Sequence, residues 1–69
     1  MEIGRRIRLL RKQQQRTQND IAARCGFTVS LLSKIENGQT TPPVATLMKI
    51  ANALGVKVSD LLEPEHPPA

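Results

Sequence analysis

The segment from Thr17 to Asn37 constrains this chain more than any other. Thr17 and Asp20 stand three residues apart. At that spacing a threonine hydroxyl accepts from the backbone N–H three residues on, while the acidic side chain reaches back to the cap. They open a short helix, about 18–25, with Ile21, Ala22 and Cys25 turned inward. Gly26 ends it, because a tight exit commonly needs φ > 0 and glycine has no Cβ to clash there. Thr28 is placed to cap another helix over about 29–36, and Asn37-Gly38 marks the turn that follows. Two helices joined so closely cross at a steep angle, which a large side chain at the contact would block. Ala22, four residues before Gly26, is small enough. Ile21, Cys25, Leu32 and Ile35 supply the apolar seam between the pair and the rest of the domain.

The flanking segments extend the same helical pattern. Ile3, Ile7 and Leu10 recur at i, i+4 and i+7, predicting a first helix over 2–15 with Arg5, Arg8, Lys12 and Gln13 elsewhere on its surface. Leu47, Ile50, Ala51 and Leu54 predict a fourth over about 44–54, with Pro42-Pro43 suited to its first turn and Gly55 after its end. Val58 to Leu62 forms a last short helix, with Leu61 and Leu62 closing the core. Phe27 is the sole aromatic among 69 residues, so aliphatic side chains must fill the interior of a domain this small. The expected architecture is all-α, a compact five-helix bundle over residues 1–63. Residues 64–69 are a Pro-rich tail or the start of a linker.

Charge is uneven along the chain. Residues 1–34 hold eight basic residues against Glu2 and Asp20, whereas residues 35–69 hold Lys49 and Lys57 against four acidic residues. A basic half suits a polyanion such as nucleic acid. The arginines of the first helix are expected to solubilise the domain and add diffuse attraction to DNA rather than to touch bases. Cys25 is single, so no internal disulfide forms, and it reads as a small buried apolar residue. His66 has no neighbouring ligands for a metal. No paired carboxylates, serine–histidine pairing or phosphate loop suggests an enzyme, and no cofactor is expected. No apolar run approaches a membrane span and no signal peptide is visible, so the expected location is cytoplasmic.

The third helix has an unusual outer face. Ser30, Ser33, Lys34 and Asn37 fall within about 100° of one another at the α-helical period. The stripe is polar, mostly small and free of acid, which suits insertion into a DNA major groove. Glu36 lies on the opposite, inward side, where a carboxylate needs a partner. Arg11, near the end of the first helix, is the candidate.

These residues resemble the Cro and phage-repressor family of helix-turn-helix domains, also called the Xre family. The resemblance is carried by Thr17-Gln18, Ile21-Ala22, Gly26, Leu32-Ser33, Ile35-Glu36-Asn37-Gly38, Pro42, Thr46-Leu47, Ile50-Ala51, Ala53-Leu54 and Asp60-Leu61-Leu62, nearly the whole chain. It implies a lambda-repressor-like fold with the helix-turn-helix at about 18–37, and a transcriptional regulator, a repressor, that binds double-stranded DNA. By the same resemblance Gln18 touches a phosphate, and Thr28, Val29 and Ser30 approach bases or flanking phosphates. Lys34 reaches base edges such as guanine O6 and N7, and Asn37 and Thr40 offer phosphate contacts. An Arg11–Glu36 pairing also looks like a family feature.

The resemblance further implies a homodimer on a palindromic operator, with half-sites about 34 Å apart. Its interface would lie near the loop before helix four and the C-terminal helix. The Pro-rich end is compatible with a further C-terminal sensing domain or with a complete small regulator. The target sequence does not transfer, because Val29 and Ser30 stand where well-studied phage members carry glutamines. The competing reading is an antitoxin-type interaction module that neutralises a partner protein.

Overall fold

A computed structural model describes residues 3–62, and these form five α-helices in chain order: α1 (Ile3–Gln13), α2 (Gln18–Cys25), α3 (Val29–Glu36), α4 (Val44–Leu54) and α5 (Val58–Leu62). Among the described residues there is no strand. None of the helices is long and apolar enough to cross a membrane. The boundaries of α2 to α5 coincide with the expected ones. The proposed tail, 64–69, lies outside the described residues.

The local signals act as their chemistry requires. The Thr17 hydroxyl accepts from the Asp20 N–H at 3.1 Å, and the Asp20 carboxylate accepts from the Thr17 N–H at 3.0 Å. Gly26 takes φ 74°, and the N–H of Phe27 returns to the Ala22 carbonyl at 2.8 Å. Thr28 caps α3 by accepting from the Leu31 N–H at 3.1 Å. At α5 the Asp60 carboxylate accepts from the Lys57 N–H at 3.0 Å, a start signal the sequence reading did not use.

Ile7, Ile21, Leu32, Ile35, Ile50 and Leu61 are sealed from solvent at the centre of one core, with Ala22, Cys25 and Ala51 filling the close approaches. α1 packs on α3, α4 and α5, while α2 packs on α3 and α4. Side chains of α1 also satisfy helix-end carbonyls elsewhere: Arg6 Nε donates to the Asp60 carbonyl, and Gln14 Nε2 donates to that of Leu54. A helix end leaves such groups without intrahelical partners, so this lashing serves both elements.

Four expectations need correction. α1 stops at Gln13 rather than 15. Gln15 adopts φ 57°, and the N–H groups of Gln15 and Arg16 return to the Lys12 and Arg11 carbonyls. This is a helix-terminating motif usually built on glycine, which the sequence does not advertise because glutamine holds the left-handed position. Pro43 is the residue before α4, with φ −62° and ψ 163°, so the Pro42-Pro43 pair precedes the first turn and gives no side-chain cap. Leu10 is only partly buried, and Leu62 is exposed while Leu61 alone plugs the core.

Gly4 has a role that spacing did not reveal. A Cβ there would overlap the Ile35 carbonyl oxygen and lie 2.8 Å from that of Glu36. Glycine therefore lets α1 touch the backbone at the end of α3. Alanine would gain about 1 kcal/mol of helix propensity, but overpacking against backbone costs about 1–3 kcal/mol.

Two opposite stability shifts are expected. Gly4→Ala lowers the denaturant midpoint, and a midpoint at or above wild type would contradict the close contact. Gln15→Gly raises stability by about 0.5–1 kcal/mol, because it removes the Cβ penalty of the left-handed conformation at some cost in chain entropy.

Candidate nucleic-acid interface

The candidate surface is built around one buried charge pair. Arg11 lies on the last turn of α1 and Glu36 on the last residue of α3, only 8% and 5% exposed. Arg11 Nε donates to Glu36 Oε2 at 2.8 Å and Nη2 donates to Oε1 at 3.0 Å, a bidentate pair. Arg11 Nη1 donates to the Arg16 carbonyl at 2.8 Å, holding the chain between α1 and α2. The remaining reach of the Glu36 carboxylate is taken up by Gln18, whose Nε2 donates to Oε1 at 3.1 Å. Among the described residues no buried side-chain polar atom lacks a partner. The planar guanidinium fork matches a carboxylate in a way an ammonium does not.

The pair fixes the orientation of α3. With Leu32, Ile35 and Glu36 inward, the opposite face carries Ser30, Lys34 and Asn37, all exposed. Val29 and Thr28 are exposed at the start of the helix. The Thr28 oxygen is used as a cap, but its hydroxyl hydrogen remains available to donate. Ser33 is set apart from the stripe: it is half-buried and its oxygen accepts from the Asn37 amide at 3.4 Å. Thr40 is exposed in the loop after α3.

A cleft runs beside this face. It is lined by Arg8, Arg11, Gln15, Arg16, Thr17, Gln18, Asn19, Val29 and Asn37. Three sequence-predicted positions, Gln18, Val29 and Asn37, thus share one depression with Arg8 and Arg16. Arg8, on the first helix, is expected from sequence to contribute only diffuse charge, and Arg16 has no role there beyond the charge balance. The signal for Arg8 was available, since it follows Arg5 by one turn and precedes Lys12 by another, but sequence alone did not say which stripe of α1 borders α3. Arg16 and Asn19 depended on the path of the turn between α1 and α2, which Gln15 conceals.

The first turn of α2 opens into the same region. The capping box satisfies the Asp20 N–H, whereas the N–H groups of Gln18 and Asn19 have no acceptor among the described residues. Helix-start N–H groups and nearby guanidinium groups favour an anion. Asp20 remains compatible with that field because its charge is used locally. Its hydrogen bonds from the Thr17 backbone and hydroxyl hold its carboxyl below the ordinary value of 3.8. On the far side of α2, burial raises the Cys25 thiol against the opposing charge of Lys49, and its Sγ donates to the Lys49 carbonyl at 3.5 Å. That environment favours an unreactive thiol.

Comparison with known proteins gives a consistent picture. Residues 7–61 match the family model described as helix-turn-helix. The HTH-type transcriptional regulator y4dJ of Sinorhizobium fredii is 39% identical over 62 residues, covering 90% of this chain and 80% of that protein. The immunity repressor protein of Bacillus phage phi105 is 35% identical over 65 residues, covering 94% of this chain but 45% of the repressor. The chain therefore spans less than half the length of that relative. Among solved structures, the restriction-modification controller protein C.AhdI from Aeromonas hydrophila superposes with a TM-score of 0.84 at 28% identity, covering 87% of this chain and 91% of that one.

Removing one member of the charge pair should cost about 3–5 kcal/mol, because the other is left buried and unpaired. Arg11→Met alone should therefore lower the melting temperature sharply, whereas Arg11→Met combined with Glu36→Leu should recover most of the loss. A single variant that melts with wild type would contradict a buried pair. For Asp20, whose folded value is depressed, the stabilising contribution is complete above the unfolded value and is lost as pH falls through the folded one. An NMR titration should find the Asp20 carboxyl midpoint below 3.8.

Proposed function

The chain belongs to the Cro and phage-repressor family of helix-turn-helix transcription regulators, and from that membership we propose that α3 enters the major groove of duplex DNA and reads its sequence. The observation that carries this reading is the outer face of α3. It offers a lysine, a hydroxyl and an amide to solvent with no acid among them, beside a cleft edged by Arg8 and Arg16. Small side chains allow close approach, and donors on the stripe match acceptors on base edges. Lys34 and Ser30 carry base recognition, and Val29 adds apolar contact with a thymine methyl. Thr28 donates to bases or a flanking phosphate, and Ser33 contributes at the edge of the stripe. Gln18, Asn37 and Thr40 take backbone phosphates, joined by Arg8 and Arg16. Such phosphate contacts set the register of α3 without carrying sequence information.

The protein acts in the cytoplasm as a repressor and binds a palindromic operator as a homodimer. What supports the dimer is the outer surface of α4, where Val44 and Met48, one turn apart, are 68% and 55% exposed. Burying both against a second copy would remove apolar area from water. A two-fold arrangement places two α3 helices on successive turns of one groove.

Two experiments test these assignments. Duplexes selected from a random pool should lose about 1–3 kcal/mol of affinity with Lys34→Ala, and the loss should vanish on unrelated sequence. Equal losses on every duplex would remove Lys34 from base reading. In sedimentation, Met48→Lys should shift the protein toward monomer, and an unchanged mass would move the interface elsewhere.

A further inference from the structure

We propose that Glu36 is a positioning residue for DNA binding, whose buried carboxylate sets the Gln18 amide with one N–H spent inward and the other free to meet a backbone phosphate. The inference rests on the DNA-binding reading above and adds to it a role for a side chain that itself touches no DNA. Glu36 Oε1 accepts from both Arg11 Nη2, at 3.0 Å, and Gln18 Nε2, at 3.1 Å. An ionised carboxylate only accepts, so the glutamine must turn its nitrogen, not its oxygen, toward Glu36. The amide has two N–H groups, and a phosphate is likewise an acceptor. One glutamine can therefore bridge the buried carboxylate and an anion outside, in a single flip state chosen by the protein.

The position of Gln18 makes this useful. It is half-buried on the first turn of α2, it lines the basic cleft, and its own backbone N–H has no acceptor among the described residues. A glutamine free in solvent would have to give up its rotamer freedom when DNA arrives. Here that ordering is complete beforehand, because Arg11 immobilises the carboxylate from the other side at 2.8 and 3.0 Å. The end of α3, the end of α1 and the start of α2 thus meet on one carboxylate. A shift of α3 against α1 would move the phosphate ligand with it.

The test measures binding of the full chain to a pool-selected duplex and to a random duplex at several salt concentrations. The proteins are wild type, Gln18→Ala, Glu36→Gln and the double variant, at a temperature where circular dichroism shows each folded. Gln18→Ala should weaken binding to both duplexes about tenfold, the scale of one hydrogen bond to a charged group. On the random duplex, where base reading by α3 does not count, Glu36→Gln should weaken binding by a similar factor although it removes a negative charge, and the double variant should bind no worse than the weaker single one. Multiplying losses, or tighter binding by Glu36→Gln, would overturn the proposal. Should Glu36→Gln fail to fold, Gln18→Asn decides: one methylene shorter, it cannot span both partners and should bind like Gln18→Ala, whereas wild-type affinity would overturn the proposal. A wild-type protein with no salt-dependent duplex binding would overturn the DNA-binding reading as well, an outcome distinct from a failed cycle.

Discussion

The interaction on which the rest depends is the bidentate contact between Arg11 and Glu36. Two charges withdrawn from water are costly, and their attraction offsets that cost only when geometry is good and the remaining valences are filled. Both conditions hold here. The guanidinium gives two bonds to the carboxylate and a third to the Arg16 carbonyl, and the carboxylate takes a further bond from Gln18. An apolar pair could stabilise the domain as well. It could not specify so narrowly where the end of α3 sits, because apolar packing is non-directional and this contact is not. Gly4 acts at the same junction from the backbone side, allowing α1 to reach the carbonyls of Ile35 and Glu36.

That junction determines which face of α3 is presented. The helix is eight residues long and buries Leu32, Ile35 and Glu36, so the directional contact of Glu36 adds to the apolar burial of the other two in holding its rotation. The turn through Gly26 sets its angle to α2, and the charge pair sets its position against α1. What remains outside is a surface of hydroxyl, amide and ammonium groups together with the exposed Val29 and Leu31, beside a cleft that Arg8 and Arg16 line. Attraction between arginines and phosphates is independent of sequence, whereas hydroxyl, amide and ammonium groups on a helix are of the kind that distinguishes one base edge from another. Val29 and Asn37 at the two ends of α3 line the same cleft as Arg8 and Arg16, so under the proposed function non-specific capture and specific reading would share one surface.

Most of this fold could be read from the chain because its punctuation is chemical. Thr17, Asp20, Gly26, Thr28 and Gly55 each solve a local hydrogen-bonding or steric problem, and each marks a boundary that the structure keeps. Arg11 and Glu36 could be matched because an inward carboxylate demands a cation. The failures have equally specific causes. Gln15 terminates α1 in a conformation that its identity does not signal. Gly4 resembles an ordinary weak helix residue until the backbone of α3 is laid against it. Ser33 lies within the angular limits of the outer stripe, yet it is half-buried and Asn37 engages its oxygen. Leu62 fits an apolar pattern, but it follows Leu61 by about 100° of helical rotation and lies on the exposed side of α5. Which arginines border the recognition face depends on how helices sit against one another, and no local pattern encodes that.

Whether α3 and the adjoining cleft form the DNA-binding surface is decided by an NMR map of backbone and side-chain shifts as a pool-selected duplex is added to the isotopically labelled protein. The largest changes are expected on residues 28–34, on Gln18, Asn19 and Asn37, and on the Arg8 and Arg16 side chains, with α4 changing little outside the surface around Val44 and Met48. Changes concentrated on α4 and α5, with Ser30 and Lys34 unmoved at saturation, would contradict that placement.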